Sequence, residues 1–145
     1  MTPWHRKQVL GVPSLGKGDI VRLGDNAADG FLGFGWSRPE GTHRWMESRR
    51  GQVSFRLDKE SPVRALAILG RPVTAQTVKF QIDGQAALQR GFGDGMERVE
   101  IPLSPASDLV VLTIEVSRTV RPKDVEPGSD DTRSLAFAAS HIELI

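Results

Sequence analysis

Short apolar runs recur along the chain, and clusters of Gly, Pro, Asp and Ser separate them. Almost no stretch keeps a helical periodicity, and the spacing of the runs, roughly 8–12 residues, is typical of a β-sandwich or barrel. The pattern predicts strands at residues 19–23, 31–37, 42–47, 52–57, 63–69, 77–82, 85–90, 97–103, 109–116 and 134–144. We therefore predict an all-β fold, an antiparallel jelly-roll-like β-sandwich, in a single domain over residues 1–145 with a poorly patterned N-terminal segment at residues 1–18.

The best-defined predicted element is a hairpin. Val78, Phe80 and Ile82 alternate with polar residues, which gives the strand one apolar face. Asp83-Gly84 follows directly, and this dipeptide supplies the positive φ angles of a tight turn. The pattern therefore predicts two paired strands on either side of Asp83-Gly84.

Two further runs predict where strands lie in the sheets. Residues 53–57 alternate strictly between apolar and polar, as in a strand with one buried face. Residues 109–114 are apolar throughout their first half, which indicates a central strand covered on both sides. Pro102 and Pro105 bracket Leu103-Ser104 and should end the strand that precedes this run, because proline cannot donate to a ladder.

A long polar segment at residues 117–133 has no strand pattern. It is rich in charged residues and contains two prolines. Loops longer than about 12–15 residues are usually functional or disordered in compact domains. The segment therefore either forms the binding end of the sandwich or is a disordered loop.

Charge and cysteine content limit the chemistry. The chain of 145 residues carries 19 Lys and Arg against 18 Asp and Glu, so its net charge is +1, and it has no cysteine. Disulfides, thiolate–metal sites and cysteine nucleophiles are excluded. The basic spots lack interleaved aromatic residues, so we expect no nucleic-acid partner. The apolar stretch at residues 9–12 is too short for a signal or a membrane span, so we expect a cytoplasmic chain with no membrane insertion.

The densest candidate chemistry lies in residues 33–45, which hold two of the three tryptophans. If residues 38–41 form a turn, Trp36 lies opposite His43 and Phe34 lies opposite Trp45, and all four share one face. The opposite face then forms a shallow floor. Its residues are Gly33, Gly35, Ser37, Thr42, Arg44 and Met46.

Two interpretations of this hairpin stay open. In the first, the aromatic residues belong to the core, and Arg38 and Glu40 decorate a solvated turn. In the second, Trp36 or Trp45 is a platform for a sugar, because a pyranose has an apolar C–H face and hydroxyl groups that suit charged partners. Glu40, His43 and Arg44 are the candidate polar partners.

Two strings in the chain resemble a known kind of module. Residues 35–45 together with residues 53–57 look like the start of β-sandwich modules appended to bacterial glycosyltransferases and cell-surface polysaccharide enzymes, and residues 129–137 with residues 141–144 look like their end. The resemblance implies a non-catalytic, carbohydrate-binding-like jelly roll that serves glycan assembly, with a glycan or polysaccharide as ligand and a glycosyltransferase domain as a partner. The alternative is a structural or oligomerisation domain that docks another domain or a second copy.

The same resemblance places Asp131 and Arg133 beside the hairpin. We therefore expect Glu40, Arg44, Asp131 and Arg133 to form a charged cluster that either binds a ligand or pins the loop. The predicted ligand-binding residues are Trp36, Glu40, His43, Arg44, Trp45, Asp131 and Arg133.

We expect neither a metal site nor a catalytic group. The three histidines are scattered. Acidic residues in the 117–133 segment could ligate a structural calcium, but their spacing lacks the regularity of a dedicated loop. No nucleophile elbow or phosphate loop is present, so we expect no cofactor and no enzyme activity. An enzyme stays open as an alternative, because a carboxylate pair for glycoside cleavage could be drawn from Glu40, Glu47, Asp130 or Asp131.

Overall fold

The computed structural model describes residues 13–58, 62–104 and 108–145. Eleven strands, one 3-10 helix and one short α-helix lie in these residues. The strands are β1 (Ser14–Leu15), β2 (Ile20–Arg22), β3 (Trp36–Pro39), β4 (Arg44–Met46), β5 (Arg50–Leu57), β6 (Ala65–Pro72), β7 (Gln76–Ile82), β8 (Gln85–Phe92), β9 (Glu97–Pro102), β10 (Leu109–Val116) and β11 (Phe137–Leu144). The 3-10 helix is Asn26–Phe31, and α1 is Pro122–Val125.

The strands form two sheets. The first has the order β1-β5-β10-β7-β8, and the second has the order β3-β4-β11-β6-β9, with β2 also paired to β11. All pairs are antiparallel except β1 with β5. The all-β sandwich that the sequence predicts is confirmed. Of the N-terminal segment predicted at residues 1–18, residues 1–12 lie outside the described residues, and Ser14–Leu15 form β1.

The core lies between the two sheets because strands of both present alternate apolar residues inward. Its largest fully buried side chains include Phe55, Phe80, Phe137 and Ile114. β10 is central in its sheet, as predicted, and lies between β5 and β7. The prediction that it is covered on both sides is wrong for part of the strand, because Val111 on its outer face is only half-buried.

The hairpin predicted around Asp83-Gly84 is confirmed. β7 and β8 pair across this dipeptide, whose φ angles are 51° and 81°. Both positive values match a tight turn that follows the twist of the strands. β9 ends at Pro102, one residue before the predicted end at residue 103.

The strand predicted at residues 31–37 is wrong in its first half. Residues Asn26–Phe31 form a 3-10 helix, because the side chain of Asp25 accepts a hydrogen bond from the Ala27 amide and caps it. Gly35, with φ of 97°, then turns the chain into β3. Only the last residues of the predicted strand belong to a strand.

The predicted register of the next hairpin is also wrong. Trp36 lies opposite Met46 instead of His43, and Pro39 lies opposite Arg44, with an irregularity between the two pairs. The turn comes two residues later than predicted, since the Glu40 amide donates to the His43 carbonyl. Phe34 lies before the start of β3 and is therefore not paired with Trp45.

The polar segment at residues 117–133 has structure of its own. Val120 forms an isolated bridge with Leu135, and α1 follows it. The segment covers the outer face of the second sheet, because Val120 packs on a small cluster of Trp45, Val73, Leu135 and Ala138.

In the described ranges, no helix is long and apolar enough to cross a bilayer.

Candidate functional site

A cleft of about 1010 Å³ opens beside β3, the edge strand of the second sheet. The 3-10 helix and the chain that enters β3 form one side of it, and β3 itself forms another. The residues that line the cleft are Asn26, Asp29, Leu32, Gly33, Trp36, Ser37, Arg38, Pro39, Arg44, Glu47 and Arg133. Its size is that of pockets that accept small organic ligands.

Trp36 supplies the aromatic surface of the cleft. The indole is half-buried and packs partly against the main core. Its Nε1–H donates to the Gln52 carbonyl at 3.0 Å, which fixes the orientation of the ring. A rigid, oriented aromatic ring at a cleft wall suits contact with an apolar ligand face.

Arg44 is a buried cation that reaches the cleft wall. Only 5% of the residue is exposed. Its Nε donates to the Leu23 carbonyl at 2.9 Å, and one terminal nitrogen donates to the Asp25 carbonyl at 3.1 Å and to Asp29 Oδ1 at 2.8 Å. Arg44 therefore ties the chain before the 3-10 helix to β4, and its hydrogen-bonding groups are largely engaged by the protein.

Arg133 forms the rim of the cleft together with two carboxylates. Its Nε and a terminal nitrogen donate to Asp131 at 3.0 Å and 2.7 Å, and its other terminal nitrogen lies 3.3 Å from Glu40 Oε2. The hydrogen bond from Arg133 holds the pKa of Asp131 below its usual range. The same bond, with a smaller contribution from Glu40, raises the pKa of Arg133.

The charged cluster expected from the sequence thus forms in part. Glu40, Asp131 and Arg133 meet at the rim. Arg44 lines the same cleft but pairs with Asp29 instead. The contact between Glu40 and Arg133 also joins the turn after β3 to the 117–133 segment.

Two charged residues in the cleft remain available to a ligand. Arg38 and Glu47 are exposed and line the cleft. Within the described part of the chain, no hydrogen bond or ion pair engages either side chain. A guanidinium and a carboxylate are therefore free to bind hydroxyl or charged groups.

Trp45 and His43 do not line the cleft. Successive side chains of a strand point to opposite faces. Trp45 consequently lies on the outer face of the sheet, with 5% of its surface exposed, and the guanidinium of Arg71 covers its ring at 5.3 Å. His43 contacts Trp45 edge to face, with ring centroids 6.0 Å apart. His43 and Trp45 therefore lie together, but the prediction that Phe34, Trp36, His43 and Trp45 all share one face is wrong, because Trp36 lines the cleft.

The acidic residues do not gather around a common point. Across residues 13–58, 62–104 and 108–145, no three His, Cys, Asp or Glu side chains are arranged to hold a metal ion. Asp124 instead accepts two hydrogen bonds from Arg121, at 2.9 Å and 3.0 Å.

Sequence reasoning missed several residues of the cleft. Asn26 and Asp29 reach it because the 3-10 helix folds beside β3, and no local motif indicates that arrangement. Glu47 follows β4 and lies near Gly35, since its amide donates to the Gly35 carbonyl at 2.7 Å. The sequence signal that could have indicated this position of Glu47 is the glycine at position 35, because glycine readily adopts the positive φ of the turn.

Comparison with known proteins places the fold in a class. No protein-family model matches the sequence, and no curated protein matches it. A CBM36-1 domain of a multidomain xylanase from the hindgut metagenome of Trinervitermes trinervoides is similar in structure, with a TM-score of 0.56 and 10% identity over 89% of this chain and 97% of that one. A family 6 carbohydrate-binding module gives a TM-score of 0.52 and 7% identity over 92% and 96%. The fold is therefore a β-sandwich of the kind found in these modules.

Longer proteins contain the same fold as one part. An acetyl xylan esterase from the rumen bacterium Butyrivibrio proteoclasticus aligns with a TM-score of 0.58 and 10% identity, over 88% of this chain and 32% of the esterase. The chain likewise covers 28% of an arabinoxylan arabinofuranohydrolase from Bacillus subtilis. The chain thus spans about a third or less of these enzymes, and identities this low establish the fold alone.

Proposed function

We propose that the chain is a non-catalytic module that binds carbohydrate in the cleft beside β3. The observation that carries this proposal is the combination of an oriented indole, Trp36, with the unengaged charged groups of Arg38 and Glu47 along one cleft. The structural likeness to carbohydrate-binding modules supports the same class of ligand.

The chemistry of a sugar matches these groups. A pyranose ring packs its C–H face on an aromatic plane, and its hydroxyls donate to a carboxylate and accept from a guanidinium. We propose that Trp36 stacks on the ring and that Arg38, Glu47 and Arg133 orient the hydroxyls. Glu40 and Asp131 hold Arg133 in place, whereas Arg44 and Trp45 maintain the framework.

Two carboxylates line the cleft, and among the described residues only Asp29 has a partner, so Glu47 is left without a second unengaged carboxylate for the acid–base pair that glycoside cleavage uses. Asp29 is tied to Arg44 by an ion pair of 2.8 Å. Asp131 lies outside the lining, has a lowered pKa and is engaged by Arg133, so it is a poor proton donor near neutral pH. These contacts support binding without turnover.

The resemblance of residues 35–45 to modules of bacterial glycosyltransferases supports a narrower proposal. In that proposal the module presents a glycan or a surface polysaccharide to a glycosyltransferase domain in the cytoplasm. A pull-down of the chain with candidate glycosyltransferases from the same genome tests this partner separately from glycan binding.

A glycan array followed by calorimetry on the best hits tests the proposal. Trp36→Ala and Arg38→Ala should each weaken binding by about tenfold, which corresponds to about 1.4 kcal/mol. Arg98→Ala is the matched control, because Arg98 is exposed on β9 at the opposite edge of the same sheet. Trp36→Phe keeps an aromatic ring and should retain part of the affinity.

Other results would contradict the proposal. Binding that survives Trp36→Ala and Arg38→Ala in a folded variant would place the ligand elsewhere. A dimer in sedimentation together with no hit on the array would favour the oligomerisation role.

A further inference from the structure

A second pocket, of about 250 Å³, lies on the other sheet of the sandwich. It is on the outer face, because Val78 and Phe80 of β7 point into the core, whereas Thr77 before them and Lys79 between them are exposed. The residues that line it are Arg49, Thr77, Lys79, Gln89, Glu115, Val116 and Ser117.

Strand register brings the charged groups of this pocket together. Lys79 lies directly opposite Glu115 of β10 on one side and Gln89 of β8 on the other. Glu115 in turn lies opposite Arg50 of β5, and its Oε1 is 3.8 Å from the Arg50 Nε. The carboxylate is therefore flanked by two cations, and Arg50 already pairs with it.

Most of the available groups in the pocket are hydrogen-bond donors. Among the described residues no hydrogen bond or ion pair engages the Lys79 ammonium. The Arg49 Nε donates to the Val116 carbonyl at 3.4 Å, and among the residues that the structure describes no partner engages its terminal nitrogens. The Thr77 hydroxyl and the Gln89 amide add neutral donors.

This set of donors suits an anion. Lys79 and Arg49 bring two positive charges to the lining against the single carboxylate of Glu115. The volume is below the roughly 300–1,000 Å³ of pockets for drug-sized ligands, so it fits a small group and not a whole oligosaccharide. We propose that this pocket is a second ligand site, which binds an oxyanion group such as the carboxylate or phosphate substituent of an acidic glycan.

An amide-resolved NMR titration at constant ionic strength tests this site with inorganic phosphate and with glucuronate as probes. Both anions share the required chemistry, and the one that saturates at lower concentration identifies the source. We expect saturable shifts at Thr77, Lys79, Gln89 and Ser117. Charge pairs at a surface are screened by salt, so affinity should fall as ionic strength rises.

Three variants separate a site from a general charge effect. Lys79→Gln should weaken binding about tenfold, and Lys123→Gln on α1 is the matched control that removes the same charge at a distance. Glu115→Gln should tighten binding of the anion about threefold. It removes a carboxylate that repels the anion, and solvent at the surface weakens that repulsion. A merely structural role of Glu115 predicts no gain.

Either of two results overturns the proposal. The first is the absence of saturable shifts at these amides up to about 100 mM probe. The second is an equal loss of binding in Lys79→Gln and Lys123→Gln, which would indicate an unspecific response to net charge. Neither result affects the proposal for the cleft beside β3, which uses different residues.

Discussion

The guanidinium of Arg71 lies over the indole of Trp45, with its central carbon 5.3 Å from the ring centroid. A terminal nitrogen of Arg71 is also 3.9 Å from Glu126, just after α1. Trp45 itself packs with Val120 near the start of the 117–133 segment and with Leu135 just after its end. The pair therefore holds that segment against the outer face of the second sheet.

Arg71→Ala should lower the free energy of unfolding by about 1 kcal/mol, the scale of a partly desolvated cation–π contact. Urea denaturation measures the change. Arg98→Ala removes an exposed arginine with ion pairs at 2.9 Å and 3.8 Å, and it should change stability by less than about 0.5 kcal/mol. Equal effects of the two substitutions would mean that the stacked geometry contributes nothing.

Arg44→Ala should lower the free energy of unfolding by about 3 kcal/mol, because it removes the donors of the buried Leu23 carbonyl and the part-buried Asp25 carbonyl. Thermal and urea unfolding measure this loss. Arg22→Ala, an exposed arginine on β2, should stay within about 0.5 kcal/mol of the wild type. A mild effect of Arg44→Ala together with a large loss of glycan binding would make Arg44 a ligand contact instead.

The two tryptophans of residues 33–45 should differ in accessibility to an aqueous quencher. Trp45 is 5% exposed and covered by Arg71, whereas Trp36 lines the open cleft. In a Trp4→Phe background, Trp36→Phe reports Trp45 alone and Trp45→Phe reports Trp36 alone. Acrylamide should quench Trp36 more strongly, and equal quenching would contradict the described burial.

The contact between Asp131 and Arg133 should make stability depend on acid pH. Since the pKa of Asp131 is lower in the folded chain than its unfolded value of about 3.9, its contribution is complete above that value and is lost as pH falls through the folded pKa. The stability difference between wild type and Asp131→Asn should therefore shrink below about pH 4.

Asp130→Asn is the control for this titration, because the exposed neighbour Asp130 carries the same charge without the bond to Arg133. A difference between wild type and Asp131→Asn that stays constant down to the lowest pH would contradict the coupling.

Gly35→Ala should destabilise the fold by about 3 kcal/mol or more. The residue has φ of 97°, and a Cβ there would meet the Arg50 carbonyl. Gly95→Ala is the control, since a Cβ at that position meets nothing within 4 Å. If both variants unfold at the same temperature, the close approach of residues 35 and 50 is not a feature of the folded chain.

The parts of the fold that local sequence determines were predictable. Period-two alternation located β5 and β7, and Asp83-Gly84 fixed the turn between β7 and β8 through its positive φ angles. Residues 31–34 are also mostly apolar, but Phe31 ends a 3-10 helix capped by Asp25, so the cap outweighs the pattern there.

The geometry of the site depends on contacts distant in sequence, and these were not predictable. Arg44 is buried because the backbone carbonyls of Leu23 and Asp25 accept its hydrogen bonds. No rule of sequence spacing reveals that arrangement. Trp45 is buried because the 117–133 segment folds over it. The proximity of Arg133 to Glu40 was expected, but from a resemblance and not from the pattern of residues.

Arg133 differs from Arg38 in how much rotational freedom it retains. Two of its nitrogens are held by Asp131, and a third lies 3.3 Å from Glu40, whereas Arg38 is exposed. Freezing a free arginine forfeits up to about 2 kcal/mol of side-chain entropy, and most of that loss has already been incurred by Arg133 during folding. The guanidinium of Arg133 is therefore already oriented before a ligand binds, whereas that of Arg38 must lose its rotational freedom on binding.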